Sequence, residues 1–166
     1  MIIEPLARHK RDGFRCGNQI LDEWLHKYAR QNESRDFSRT YLAIDGDEVL
    51  GYVAISAGSI DRRLAPADIG RNAPEFVPVV IITRLAVDTR AQGTGLGKRL
   101  LAHAFEKALG VSTVIGAGGV LVSAADETAK SFYLNVTQFI ELDMRSSWLF
   151  APMSSLRREF ARALNE

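Results

Sequence analysis

An apolar run, Val79 to Val87, passes through six residues, Thr89 to Thr94, into a strongly amphipathic segment, Gly95 to Leu109. The junction reads Gln92-Gly-Thr-Gly-Leu-Gly-Lys98, with glycine at every second position. A strand must therefore turn sharply into a helix, through backbone that ligands can approach closely. The first amides of a helix have no intrahelical partner and carry the positive end of its dipole, so they attract anions. Glycine in a first helical turn costs roughly 1 kcal/mol per residue. The bare alternative, a tight turn without a ligand, leaves that cost uncompensated. The segment reads as a phosphate-binding loop.

Spacing separates three kinds of phosphate loop. A P-loop requires Gly, four residues, then Gly-Lys-Ser/Thr, whereas Gly97-Lys98 is followed by Arg99. A dinucleotide fingerprint requires Gly-x-Gly-x-x-Gly, but Gly93, Gly95 and Gly97 alternate and Lys98 fills the last slot. Gln92, Gly95 and Gly97 meet the third pattern, Gln/Arg-x-x-Gly-x-Gly/Ala after a strand. This loop resembles the acetyl-coenzyme A pyrophosphate loop of the GNAT superfamily of N-acetyltransferases.

At 166 residues the chain is read as one domain, 1–166, able to bury a core without disulfide or metal staples. Its 46% hydrophobic and 25% charged residues are ordinary for a soluble globular protein. A net charge of +1 gives no global basic field for nucleic acid, although a local stripe is compatible with it. Cys16 is the single cysteine, which excludes an internal disulfide and a cysteine-rich zinc site. No metal is expected. No signal peptide is apparent and the longest apolar runs are too short for a bilayer, so a cytoplasmic location is expected.

Along the chain, Ile2 to Leu6 reads as a short strand. Asn18 is a candidate cap for a helix with an apolar stripe at Ile20, Leu21, Trp24, Leu25 and Tyr28. Thr40 to Ile44 and Val49 to Ser56 read as a hairpin around Asp45-Gly46-Asp47. Asp61 to Pro78, with three prolines, reads as a functional loop, and Val79 to Val87 as a central buried strand. Gly119 to Ala124 is a further buried strand and Asp126 to Leu134 a helix. Phe139 to Asp143 and Ser147 to Phe150 read as final strands, and Ser154 or Ser155 as the cap of a last helix. The fold class is α/β (α+β): a mainly antiparallel sheet of six to seven strands, with helices on both faces and one strand–helix–strand crossover at the glycine loop. The element order is similar to the GNAT arrangement.

The resemblance implies acetyl-CoA as co-substrate. The amides of Gln92, Gly93, Thr94, Gly95, Leu96 and Gly97 would hold the pyrophosphate, with Arg90, Lys98 or Arg99 neutralising charge. The backbone of Leu85, Ala86 and Val87 would pair with the pantetheine arm, an amide near Val87 polarising the thioester carbonyl. Tyr133, in Ala129-Lys-Ser-Phe-Tyr133, falls where many family members keep a tyrosine that protonates the departing thiolate. A phenol near pKa ~10 can donate to a thiolate whose acid lies near ~8.5. Phe132 is expected to fill the core and leave Tyr133 facing the cleft.

A narrower set comprises Phe14-x-Cys16-Gly-Asn18-x-x-Leu21-Asp22-x-x-Leu25, Gly51-Tyr52, Arg84-Leu-Ala-Val-Asp88, Gln92 to Gly97, and Ala129-x-x-Phe-Tyr133. It resembles the GNAT toxins of bacterial toxin–antitoxin pairs, which acetylate the amino group of aminoacyl-tRNA. That resemblance implies a ribbon-helix-helix antitoxin and a homodimer. Ser123-Ala124 and Gln138-Phe139 depart from the family's usual Asp-Ala and Gly-Phe. Arg35, Arg39, Arg62, Arg63, Arg71 and Arg90 are either a cationic track for phosphates or dispersed surface charge. An α-amino acceptor, with a pKa of about 7.7–8.0, needs less help from a base than a lysine near ~10.4. His9, His26 and His103 are read as ordinary surface residues. Acetylation of a small amine or protein amino group, and a non-catalytic acyl-CoA-binding module, are the alternatives.

Overall fold

The computed structural model describes residues 1–137, 139–142 and 147–165. Its chain divides into two compact units: Met1–Ser56 with Ile82–Ala104, and Ala57–Ile81 with Phe105–Glu166. Seven strands follow the hydrogen-bonded order β1-β2-β3-β4-β5-β7-β6, so the fold is mixed α/β, as expected.

In the first unit, β1 (Ile2–Pro5) lies antiparallel to β2 (Arg39–Asp45), pairing Ile2 with Ile44 and Pro5 with Tyr41. A turn at Gly46, whose φ of 60° is left-handed, returns the chain into β3 (Glu48–Asp61), antiparallel to β2. Gly51 on β3 is closely packed: a Cβ would meet Leu100 Cδ1 at 2.8 Å and Ala86 O at 3.3 Å, so any side chain there would force Leu100 to shift. Asn18 caps α1 (Gln19–Glu23) as expected, its Oδ1 accepting from Ile20 N at 3.0 Å and Leu21 N at 3.2 Å.

The expected continuous helix is interrupted by a π-helical turn, Trp24–Tyr28, before α2 (Ala29–Ser34) resumes. The wider turn shifts the apolar stripe off one line. Leu25 is fully buried, whereas Ile20 is 73% and Tyr28 48% exposed, so two of the five stripe positions fail. Leu25, Ala29, Leu42, Ile44, Tyr52 and Ala86 share this unit's core with Phe14. β4 (Phe76–Val87) begins three residues earlier than its apolar run.

In the second unit the loop before β4 carries one short helix, α3 (Ala67–Gly70). β5 (Gly119–Ser123) pairs antiparallel with β7 (Trp148–Pro152), and β6 (Ile140–Glu141) with β7's other edge. Residues 140–141 are thus the only strand found where Phe139 to Asp143 was expected, and Asp143 lies outside the described residues. Ile60, Val77, Val79, Leu121 and Phe150 form the core here. α4 (Leu96–Val114) runs five residues past the expected end. α5 (Glu127–Val136) is capped by Asp126, whose Oδ1 accepts from Ala129 N at 2.8 Å. α6 (Met153–Asn165) starts directly after β7, which places Ser154 and Ser155 inside it rather than at its cap.

Candidate active site

The first unit contains the glycine loop. β4 ends at Val87, Thr89–Ala91 forms a 3-10 turn, and Gly93 and Gly95 take φ of 76° and 87°. Both values lie where a Cβ is strained by roughly 1–2 kcal/mol, which explains the glycines without invoking crowding. The space around both Cα atoms is open. Arg99 N closes onto Gly95 O at 3.2 Å, so the amides of Leu96, Gly97 and Lys98 precede the helical ladder. An anion is what those amides can accept.

Side chains hold this loop from behind. Gln92 Nε2 donates to Val87 O and to Cys16 O, both at 2.9 Å, tying the start of the loop to the strand and to the segment before α1. Thr94 Oγ1 donates to Ala91 O. Asp88 is 1% exposed and accepts from Arg15 N at 3.0 Å, Arg90 N at 2.9 Å and the Arg90 guanidinium at 2.9 and 3.1 Å. Burial alone would raise the Asp88 carboxyl, but the Arg90 side chain and the two amides outweigh it and hold it down to about 2.

Arg90 also donates to Glu48 at 2.7 Å, so both of its acidic neighbours engage its donors, and its pKa rises accordingly. Its first task is to fix the loop; its half-exposed head retains long-range charge. Lys98 is exposed and makes no ion pair among the described residues. Arg99 reaches Met1 O at 3.4 Å. Of β4's last residues, Ala86 is buried in the unit's core, while Leu85 and Val87 are half-buried.

The sequence singles out neither Asp88 as a hub nor the backbone of Arg15 and Cys16 as partners, because those contacts span more than seventy residues. Burial pushes the Cys16 thiol up to about 11, which suppresses the thiolate and leaves a structural residue. Before α1, an open cleft of about 570 Å³ is lined by Arg15, Asp22, Glu23, His26, Lys27 and Thr89. It carries both signs of charge rather than an acidic lining. On the neighbouring face, Trp24 stacks on Tyr52 at 5.8 Å and 15°, Phe14 meets Tyr52 edge-on at 5.5 Å, and Arg84 lies over Trp24 at 4.7 Å.

Three of the six candidate track arginines are paired with carboxylates. Arg39 bonds Asp36 at 2.6 Å, Arg63 bonds Asp61 at 2.6 Å, and Arg90 is held as above. Arg35 lies over Phe37 at 4.5 Å, and Arg62 donates to Ala73 O at 3.2 Å. Opposite charges beside them reduce their reach toward external phosphates.

Tyr133 belongs to the second unit, on α5. Its ring meets Phe139 at 5.6 Å and Phe132 at 5.3 Å, both edge-on, and Phe139 in turn meets Phe105 at 5.7 Å. The expected division is reversed: Tyr133 is 6% exposed, while Phe132 is only half-buried. Helical phase turns the tyrosine into the apolar cluster. Burial raises its phenol to about 12. Its hydroxyl bonds no partner among the described residues. Such a phenol stays protonated across the physiological range, a proton store rather than a strong acid. Gln138, one of the two family departures, lies outside the described residues. Among the described residues no three metal-binding side chains cluster, and no helix is long and apolar enough to cross a membrane.

Residues 4–139 match the Acetyltransferase (GNAT) family. A "tRNA-acetylating toxin" of Mycobacterium tuberculosis (strain ATCC 25618 / H37Rv) is 36% identical over 122 residues, 74% of each chain. The structure of AtaT complexed with acetyl-methionyl-tRNAfMet superposes with a TM-score of 0.87 at 27% identity, covering 96% of this chain and 98% of that one. A tyrosine-to-phenylalanine mutant of the AtaT toxin, bound to the C-terminus of the antitoxin AtaR and acetyl-CoA, gives 0.82 at 28%, covering 96% and 97%. A loop built to present amides to an anion, on a chain matched over this much of its length, places the protein in the GNAT acetyltransferase family.

Proposed function

We propose that the protein is the toxin of a toxin–antitoxin pair, a single 1–166 acetyltransferase domain that moves acetyl from acetyl-CoA to the α-amino group of aminoacyl-tRNA and so blocks translation. The observation that carries this reading is the chain-long likeness to AtaT complexed with acetyl-methionyl-tRNAfMet. The 36% identity to a tRNA-acetylating toxin supports it from sequence.

In this reading the amides of Gln92 to Gly97 receive the pyrophosphate and Lys98 adds charge. The backbone of Leu85 to Val87 receives the pantetheine, with an amide near Val87 polarising the carbonyl. The amine lone pair attacks the thioester carbon, the C–S bond breaks, and the sulfur takes the Tyr133 proton. The ammonium proton leaves to water, and water returns a proton to the Tyr133 phenolate, whose phenol at about 12 is strongly favoured at neutral pH. A phenol near 12 is a weaker donor than one near ~10, so the transfer depends on the thiolate being desolvated and made more basic as well. A small-amine acceptor would call for an acid-lined cleft, whereas the cleft before α1 carries both signs. The partner is an antitoxin, of the ribbon-helix-helix class, the protein acts as a homodimer, and its place is the cytoplasm.

The test follows labelled acetyl from acetyl-CoA into a total charged tRNA pool, beside deacylated tRNA, a lysine peptide and a polyamine. Label in charged tRNA alone is the expected result. Label only in the peptide or polyamine would retain the enzyme and discard the toxin.

A further inference from the structure

Arg84 is the half-buried cation of β4 that the loop network leaves unused. Its Nε is buried without a hydrogen-bond partner, and its one hydrogen bond among the described residues runs from Nη1 to the adjoining Thr83 O at 3.3 Å. No carboxylate pairs with it there, in contrast to Arg39, Arg63 and Arg90. A buried donor without a partner calls for an explanation. The guanidinium is nevertheless held in place, 4.7 Å over the Trp24 ring. Trp24 is itself fixed by stacking on Tyr52, whose hydroxyl donates to Leu21 O at 2.7 Å. Trp24 also opens the π-helical turn, a local irregularity that occurs frequently at functional sites. Among the described residues the chain thus orients a planar cation, leaves most of its donors open, and pairs no carboxylate with it.

We infer that Arg84 is a binding residue for the acceptor, its guanidinium receiving a phosphodiester oxygen near the 3′ end of the aminoacyl-tRNA. This rests on the proposed function. Guanidinium geometry suits phosphate, with paired donors in one plane. Coenzyme A carries phosphates as well, but position argues against them. Arg84 shares the strand face of Ala86, two residues on, and lies three residues, about 10 Å, up the strand from Val87. The pyrophosphate belongs to the loop beyond Val87, and the pantetheine laid along Leu85 to Val87 is uncharged. The phosphate that reaches Arg84 therefore enters with the acceptor.

The experiment measures KM for charged tRNA over a series of KCl concentrations, and KM for acetyl-CoA, in the native protein, Arg84→Gln and Arg84→Lys. Arg84→Gln should raise KM for charged tRNA about 10- to 100-fold. It should also reduce the slope of log affinity against log salt by about 0.7 to 0.9, the loss of one phosphate contact. KM for acetyl-CoA should stay within about twofold. Arg84→Lys, which keeps the charge and the bulk, should retain the slope while losing part of the affinity. An unchanged slope in Arg84→Gln, or an equal rise in KM for acetyl-CoA, overturns the assignment. A native protein that transfers nothing to charged tRNA overturns the proposed function instead, and this inference with it.

Discussion

The two units hold their candidate residues by opposite means. Around the glycine loop the fixing is polar: a buried carboxylate and a glutamine amide, both bonded to backbone, and an arginine bidentate to that carboxylate. Around Tyr133 it is apolar, a cluster of rings with no hydrogen bond to the phenol among the described residues. The first arrangement fixes main chain so that amides point outward. The second raises a proton affinity by excluding water. Residues in the loop network should therefore couple folding to cofactor affinity, whereas Tyr133 should separate turnover from folding.

The strongest test of that contrast is Tyr133→Phe. Loss of general acid catalysis should lower the transfer rate by about 100- to 1000-fold. The melting temperature should move by no more than about 2 °C, because no hydrogen bond among the described residues is broken. A steep fall in melting temperature alongside activity would collapse the distinction. Next in size is Asp88→Ala, which strips the acceptor from two amides and a guanidinium. Calorimetry should register about 3 kcal/mol of lost stability. Gly95→Ala should cost about 1–2 kcal/mol of folding and weaken acetyl-CoA roughly tenfold by titration calorimetry, since its φ is left-handed. Full cofactor affinity in that variant would remove the loop from the binding site.

Smallest, and most diagnostic, is pH. Asp88 is depressed to about 2, so its contribution is complete above its ordinary value near 4 and is lost as pH falls from there toward 2. Tyr133 is raised to about 12, so its contribution is complete below about 10 and is lost as pH rises from there toward 12. Denaturant melts at a series of pH values should show an acid step that Asp88→Asn reduces, with Asp61 also depressed to about 2, and an alkaline step that Tyr133→Phe reduces, with Tyr41 and Tyr52 raised by burial as well. If either substitution erased both steps, the two environments would not be independent.

The sequence discloses what is local. Alternate glycines gave the loop, and two of the three have the left-handed φ that forces the choice. Asn18 gave the start of α1, while Asp126 proved to be the cap of the helix expected from it, each through an oxygen two or three residues from its donors. Periodicity places Leu96, Leu100, Leu101, Ala104, Phe105 and Ala108 on one face, and all of them are buried except Phe105, which is half-buried. What is distant was hidden. Arg90 looked like a phosphate ligand because Glu48, forty-two positions away, is invisible to local reading. The π-helical turn, which ends at Tyr28, leaves that residue outside the expected stripe, and Ile20, in the first turn of α1, is exposed as well. Arg84 and Trp24, sixty residues apart, carry no joint signal.

The grip of Asp88 and Gln92 on the segment before α1 bears on how this sequence can diverge. Both side chains close on main-chain atoms, Arg15 N and Cys16 O. Every residue except proline has that N–H, and every residue has that carbonyl. These two bonds thus place no demand of their own on side-chain identity at positions 15 and 16, while they require the side chains of 88 and 92. Any constraint on 15 and 16 comes instead from other contacts, Arg15 with Phe14 O and His26, and Cys16 with Asn18 O and the core. Insertion or deletion of a single residue between Phe14 and Asn18, by contrast, would displace both atoms and should be rarer than any substitution there.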